Sequence, residues 1–278
     1  MKLIKILLLL LVTSALFGSF DDYEPSARAR ALGGAFYSTS DDANGIFYNP
    51  AGLSLAGNSL AIGNAKIMGN DFHVVSTVAF SMELPKKFGV LGIGLHAMDA
   101  EYMDVTLTSE KIYALSHSFT LLKDVHSEVY FGYTANMYHL SFSTFGNQPA
   151  FGINVGALAI LHQRTQIGFS VTNVNNPKVG VDNSLDLPQK LAVGISYAPY
   201  QNLTTSIELK KGFASITEIH TGIEMDVLSV MTLRFGVRNN PTKFSTGAGF
   251  NIYDIVLDYG YDTHTSGDTH HFSLGYKF

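Results

Sequence analysis

The sequence predicts an all-β fold: a transmembrane antiparallel β-barrel of about fourteen strands with an N-terminal plug, or hatch, lodged in its lumen. Three observations carry this expectation. From Asn58 to the last residue the chain alternates apolar and polar residues in short runs, the period of strands with one apolar and one polar face. Its final residues form an aromatic strand. Its connections alternate between tight and long.

Composition points the same way. Charged residues make up 15% of the chain, well under the roughly 25% of soluble domains. No stretch beyond residue 20 is apolar enough to cross a membrane as a helix. A barrel whose outer face meets lipid reconciles the two. The net charge of −5 gives no reason to expect nucleic acid as a partner. Cysteine is absent, which removes disulfides, thiolate metal sites, a cysteine nucleophile and a lipid-bearing cysteine.

Residues 1–19 read as a secretory signal. Lys2 and Lys5 open it, 6–12 form its apolar centre, and Thr13, Ser14, Ala15, Gly18 and Ser19 supply small residues. Cleavage falls between 15 and 19. The expected organisation is signal 1–19, hatch 20–57 and barrel 58–278.

The stretch 26–53, SARARALGGAFYSTSDDANGIFYNPAGL, is unlike everything after it. Gly33-Gly34 interrupts whatever helix begins at Ala27, and Pro50 pushes Asn49 into extended backbone. An irregular segment before an unbroken run of strands is the pattern of a filler and its container. Arg28, Arg30, Asp41 and Asp42 are expected to pair with lumenal charges, and Phe36, Tyr37, Phe47 and Tyr48 to supply bulk.

Strands are expected at 59–68, 72–82, 88–98, 110–121, 127–139, 150–161, 165–173, 188–198, 203–211, 216–226, 230–239, 243–252, 254–262 and 269–278. In the eleventh, Met231, Leu233, Phe235 and Val237 oppose Thr232, Arg234, Gly236 and Arg238. Connections after even strands are tight, whereas the long ones, 99–109, 140–149 and 174–187, follow odd strands. Outer-membrane barrels have short periplasmic turns and longer outer loops, so the first strand rises from the periplasm. Phe272, Leu274, Tyr276 and Phe278 share one face of the last strand, which is expected to serve as the signal read by the barrel-assembly machinery. Tryptophan is absent, so interfacial girdles must come from Tyr and Phe; Tyr197, Phe244, Phe250, Tyr259 and Tyr261 are placed for that.

The polar faces are rich in glycine: Gly92, Gly94, Gly132, Gly152, Gly156, Gly168, Gly194, Gly222, Gly236, Gly247, Gly249 and Gly275. Glycine weakens a strand, so its repetition on one face implies either close approach by the filler or relief of curvature. Glu208, Lys210, Glu224, Arg234 and Asp258 lie on the same faces. An arginine facing lipid at mid-depth would cost ~2–4 kcal/mol, so these faces line the lumen. Acids and bases are mixed there, as in an ion-paired packing network rather than a single-sign selectivity ring.

No catalytic constellation emerges. The turn 262–271 carries Asp262, His264, Asp268, His270 and His271, donors that suit a metal but read better as a solvated loop. Gly92-Ile-Gly94 and Gly247-Ala-Gly249 precede no helix and so make no phosphate loop. There is no Gly-x-Ser-x-Gly elbow and no His-Glu-x-x-His. No enzyme, cofactor or metal is expected.

The combination SARARALGGAF, DDA and FYNPAGL resembles the N-terminal signature of the FadL-type outer-membrane transporters, and is most similar to the branch holding the PorV and PorQ components of type IX secretion. The resemblance implies that Arg28, Arg30, Gly33, Gly34, Asp41, Asp42, Asn49, Pro50, Ala51 and Gly52 form a hatch motif. It also implies a lateral opening in the third strand, where Gly89, Gly92 and Gly94 concentrate. Two functions follow from it: passage of hydrophobic small molecules by hatch movement, or an accessory role in secretion and surface attachment. A structural envelope barrel is a third. The expected partners are outer-membrane lipid and either a hydrophobic ligand or secreted proteins.

Overall fold

Alternation at period two becomes strand wherever it runs, because each face then meets one kind of surroundings. In the computed structural model, which describes residues 20, 24–67, 73–85, 88–102, 105–142, 146–180, 185–213, 215–263 and 267–278, those strands are β1 (Ser59–Lys66), β2 (His73–Glu83), β3 (Val90–Tyr102), β4 (Val105–Lys123), β5 (Ser127–Phe142), β6 (Gly146–Leu161), β7 (Thr165–Thr172), β8 (Lys178–Val179), β9 (Leu185–Asp186), β10 (Lys190–Tyr200), β11 (Leu203–Gly212), β12 (Thr217–Leu228), β13 (Met231–Arg238), β14 (Lys243–Ile252), β15 (Ile255–Asp262) and β16 (Thr269–Lys277). All but β8 and β9 form one closed barrel in sequence order, sealed where β16 pairs with β1. Each barrel strand is antiparallel to both neighbours. The expected signal segment lies outside the described residues.

Facing is as the alternation requires. On β13, Thr232, Arg234, Gly236 and Arg238 are buried while Phe235 and Val237 are exposed. Ile62, Leu115, Ile195, Ile207, Phe244, Phe272 and Leu274 continue the exposed apolar surface around the barrel. The strand at 105–123 points Tyr113, Leu115 and Leu121 outward, with a register shift between Thr120 and Leu122.

Two expected loops are largely strand instead. Residues 99–102, 105–109, 140–142 and 146–149 stay in the ladder, with Asp99 opposite Ser109, Tyr102 opposite Val105, and Phe142 opposite Gly146. Asp99, Glu101, Asn147, Gln148 and Pro149 are charged or turn-forming types that read as loop, even though Val105 and Leu107 alternate with Thr106 and Thr108, and backbone pairing continues through them. As a result β4 is 19 residues long, and β3–β6 form a tall sector of wall. The third long connection, 173–189, is real. Its short ribbon β8–β9 bends inward, burying Val179 and Leu187 against Tyr138, Leu140 and Ala150.

The segment before β1 occupies the lumen as a chain of short turns: helix α1 (Ala27–Ala31), 3-10 turns at Ala43–Ile46 and Pro50–Gly52, and helix α2 (Leu53–Ala56). Ser26 caps α1 by accepting from Ala29 N at 3.3 Å, which satisfies one orphaned donor. The helix ends where Gly33 and Gly34 take φ of 64° and 83°, a conformation open to glycine at little cost. Asn49 is extended, φ −132° and ψ 101°, as Pro50 demands. The segment runs downward: Phe20 lies beside Glu110 and Tyr138, toward the rim with the longer connections. Gly57 leaves at the opposite rim, where Ser81 Oγ donates to its carbonyl at 2.8 Å.

Candidate functional site

The lumen wall and the N-terminal segment fit each other residue by residue. A Cβ added at Gly236 would stand 2.1 Å from Gly33 N, one at Gly132 2.4 Å from Pro50 C, and one at Gly168 2.4 Å from Tyr37 O. Gly92 and Gly94 give the same room to Ile46, Leu53 and Phe47, Gly156 to Asn49, Gly222 to Leu32, and Gly247 to Ala31. Gly260, which the strand pattern alone did not single out, admits Ala27. The alanines of α1 are fully buried, because only small side chains let a helix lie this close to a wall.

The remaining glycines do a different job. Gly194 makes room for Glu208 of the adjacent strand, Gly249 for Asp258 and Arg234, and Gly152 for Asn173. Gly275 meets nothing nearer than Val256 Cβ at 3.4 Å. They accommodate wall side chains, not the segment.

An irregular backbone inside a barrel needs partners for its carbonyls. Inward hydroxyls supply them: Ser118 Oγ donates to Ala51 O at 3.0 Å, Thr134 Oγ1 to Ile46 O at 3.2 Å, and Ser170 Oγ to Tyr48 O at 2.8 Å. Asn49 is fully buried. Its Nδ2 donates to Tyr37 O and, across the gap, to Ala157 O at 3.1 Å, while its Oδ1 accepts from Ala51 N. One side chain thus ties two turns of the segment to β6.

Charges concentrate on the opposite wall. Arg28 Nε and Nη2 donate to the two oxygens of Glu224 at 2.8 and 2.9 Å, and Arg28 also pairs with Asp41. Arg234 joins Glu224 and Asp258, each at 2.6 Å. Arg30 Nη1 reaches Asp262 at 3.2 Å, Lys210 reaches Glu24 at 3.1 Å, and Ser38 N and Oγ both donate to Glu208. The lumenal charges therefore hold the segment rather than line an open channel. Asp41 and Asp42 depart from the expectation: Asp41 is held by Arg28 within the segment, and Asp42 caps the turn at Ala43–Ile46 by accepting from Asn44 N at 2.8 Å. Asp42 sits at a turn start, where a local backbone donor reaches its carboxylate first.

The expected wall opening at Gly89, Gly92 and Gly94 is not formed. The third strand pairs with β2 from Val90 to Ala100 and with β4 from Val90 to Tyr102. Gly89 takes φ of 90° in a turn where its Cβ would lie 2.0 Å from Ser118 O. Gly92 and Gly94 face the segment's apolar side chains Ile46, Leu53 and Phe47, not a gap. The turn at 262–271 does not gather its donors either: His271 is buried inside while His270 meets the Tyr259 hydroxyl on the outside, and His264 lies outside the described residues. Phe272, Leu274, Tyr276 and Phe278 share the exposed face of the last strand, and Phe278 stacks on Tyr276 and Phe80 at 5.8 and 5.9 Å.

Above the segment and beneath the 173–189 connection lies a cavity of about 90 Å³. Phe20, Tyr37, Phe47 and Tyr138 give it aromatic walls, and Glu24, His96, Asn154, Asn173, Lys190 and Lys210 polar and charged ones. The Phe20 ring stands edge-on to Tyr138 at 5.1 Å. Nothing in the sequence marked this chamber, whose walls come from residues far apart in the chain.

No protein-family model and no curated protein matches this sequence. Solved structures share its fold. The CymD monoaromatic hydrocarbon channel superposes with a TM-score of 0.69 at 13% identity, covering 92% of this chain and 99% of that one. A Pseudomonas aeruginosa FadL homologue gives 0.62 at 11%, covering 91% and 98%, and the Pseudomonas putida toluene transporter TodX 0.61 at 11%, covering 91% and 97%. At such identities the likeness is one of fold.

Proposed function

We propose that this chain is an outer-membrane barrel that passes small hydrophobic molecules, with the N-terminal segment as a hatch in its lumen. The observation that carries the reading is the chamber above that segment, which already houses the benzyl group of Phe20 against Tyr138. Its aromatic walls suit a ring-sized ligand, while Glu24, Asn173, Lys190 and Lys210 form the polar side of the lining. The apolar exterior supports residence in lipid. The hatch is held by hydrogen bonds, ion pairs and close contacts rather than by membership of the sheet, so it can shift without unpairing a strand. The shared fold with hydrocarbon channels supports the same substrate class.

The secretion role implied by the opening motif gains no support from those neighbours, and the wall offers no feature that favours it. The transport reading is tested by influx of radiolabelled toluene into intact cells. Cells producing the barrel should take toluene up several-fold faster than cells lacking it. Equal rates at equal amounts of inserted protein would reject it.

A further inference from the structure

β12 is the strand that seats α1. Successive inward positions on it meet the lumenal segment: Glu224 holds Arg28, Gly222 makes room for Leu32, and His220 reaches the backbone just past the helix end. His220 Nδ1 lies 2.6 Å from Gly33 O, and its Nε2 lies 3.0 Å from Glu218 Oε2. The ring is fully buried, whereas the Glu218 side chain is 27% exposed. Only glycine fits at position 34 beside it, since a Cβ there would stand 2.8 Å from Nδ1.

The chemistry of those two contacts sets the state of the ring. A backbone carbonyl and a carboxylate only accept, and a neutral imidazole has one N–H to give. The doubly protonated ring alone donates to both, and charge-assisted bonds of this kind are short and strong. Loss of one proton sets a lone pair against a lone pair at one of the two contacts. Either Gly33 O is pushed from Nδ1, or the Glu218 carboxylate swings toward solvent and the bond to Gly33 loses its charge. Both outcomes weaken the hold on the segment.

The other charged groups around the ring have partners of their own. On β11, Glu208 stands opposite His220 and accepts from Ser38, while Lys210 pairs with Glu24 of the segment. On β13, Arg238 stands opposite His220 and 3.9 Å from Asp262, which also takes Arg30, with Lys243 of β14 beside it. On β12 itself, Glu224 is held by Arg28 and Arg234. Glu218 is thus the carboxylate that answers His220.

We propose that His220 is a pH-sensitive latch on the lumenal segment, closed while its ring carries both protons and loosened as rising pH removes one. This rests on reading the segment as a hatch, and it adds a control that acts on the hatch without any ligand. Histidine is the side chain that ordinarily changes charge between about pH 5 and 8, so the latch works in the range a cell surface meets.

The test counts brief openings of the intact barrel in planar bilayers at about pH 5 and about pH 8. Their frequency should rise about tenfold at the higher pH. His220→Gln, whose amide does not titrate, should open equally often at both. Glu218→Gln offers Nε2 a donor, so a neutral ring keeps its bond to Gly33 and the barrel should stay closed at both. Heat-modifiability on gels checks that each variant inserts. An intact barrel indifferent to pH would overturn the latch. So would a pH dependence that persists in His220→Gln, which would assign it to another buried histidine, His96 or His271. Deleting residues 21–48 separates this from the reading beneath it. A deletion barrel that opens beside an intact barrel indifferent to pH leaves the hatch standing without its latch. A deletion barrel as tight as the intact one overturns both.

Discussion

Arg28 and Glu224, 196 residues apart in sequence, meet through two parallel hydrogen bonds, Nε to Oε2 at 2.8 Å and Nη2 to Oε1 at 2.9 Å. Bidentate guanidinium–carboxylate pairs fix orientation as well as contributing energy. This one sets the angle of the lumenal segment against β12, and Arg234 braces the same carboxylate from the next strand.

The two partners should not be equivalent. Arg28→Ala leaves Glu224 still paired with Arg234. Glu224→Ala leaves two guanidinium groups facing each other, with Asp41, Asp42 and Asp258 left to balance them. Removing one partner of a sealed pair costs ~3–5 kcal/mol. These side chains are 16% and 18% exposed, so about half that applies here. Glu224→Ala should therefore give more frequent brief openings in planar bilayers than Arg28→Ala. The reverse order would mean that the wall network, not the hatch contact, governs closure.

The glycine seat makes a second contrast. Gly236→Ala and Gly132→Ala would drive a methyl group into hatch backbone at 2.1 and 2.4 Å. Gly275→Ala, whose nearest neighbour is 3.4 Å away, touches no hatch atom. The first two should raise basal conductance and expose the hatch to added protease, while all three still insert. A Gly275 variant as leaky as the other two would show that glycine serves the wall rather than the seat.

How much of this was legible depended on what each residue's neighbours reveal along the chain. The strand at 231–238 was plain, since its two faces meet different media. Gly33-Gly34 and Asn49-Pro50 announced their turns through backbone sterics alone. The upper parts of β3–β6 were hidden behind charged and turn-forming residues such as Asp99, Glu101, Asn147 and Pro149, which look like loop in sequence yet stay paired. Gly92 and Gly94 left close approach by the filler, relief of curvature and a wall opening all open: a missing Cβ looks the same in sequence whether it faces a gap or the Ile46 side chain. Asn173 and Asn175 carry a loop signature, and their bonds to Tyr138 of β5 and to Phe151, Ile153 and Asn154 of β6 appear only in the fold. Glu24 and Lys210 find each other solely through the fold.

The last strand should govern assembly more than folding preference. Phe278 is half exposed yet stacks on Phe80 of the second strand, on the exterior near the closing pair Leu60–Tyr276. Phe278→Asp should lower the yield of heat-modifiable, membrane-inserted barrel several-fold, while Phe278→Tyr should not. Equal insertion of all three proteins on denaturing gels run with and without heating would show that the terminal aromatic is no assembly signal.

Deleting residues 21–48 is the most direct test of the hatch. The barrel's ladders lie entirely downstream of the cut, so insertion should persist. The exposed lumen would remain balanced: Arg234 keeps Glu224 and Asp258, and Ser245 keeps its bond to Asp262. Phe36, Tyr37, Phe47 and Tyr48 would be gone, and with them the bulk that fills the space beside Gly94, Gly168 and their neighbours. Conductance in planar bilayers should rise from near zero to that of a steady open pore. Asn49→Ala with Pro50→Ala acts on the same element more gently. It removes the bonds from Asn49 Nδ2 to Tyr37 O and Ala157 O and frees the torsion that Pro50 fixes, while all the bulk stays. That variant should flicker between closed and partly open levels without reaching the deletion's conductance. A truncated barrel that inserts and stays as tight as the intact chain would remove the gate from the mechanism, and the segment would then be packing alone.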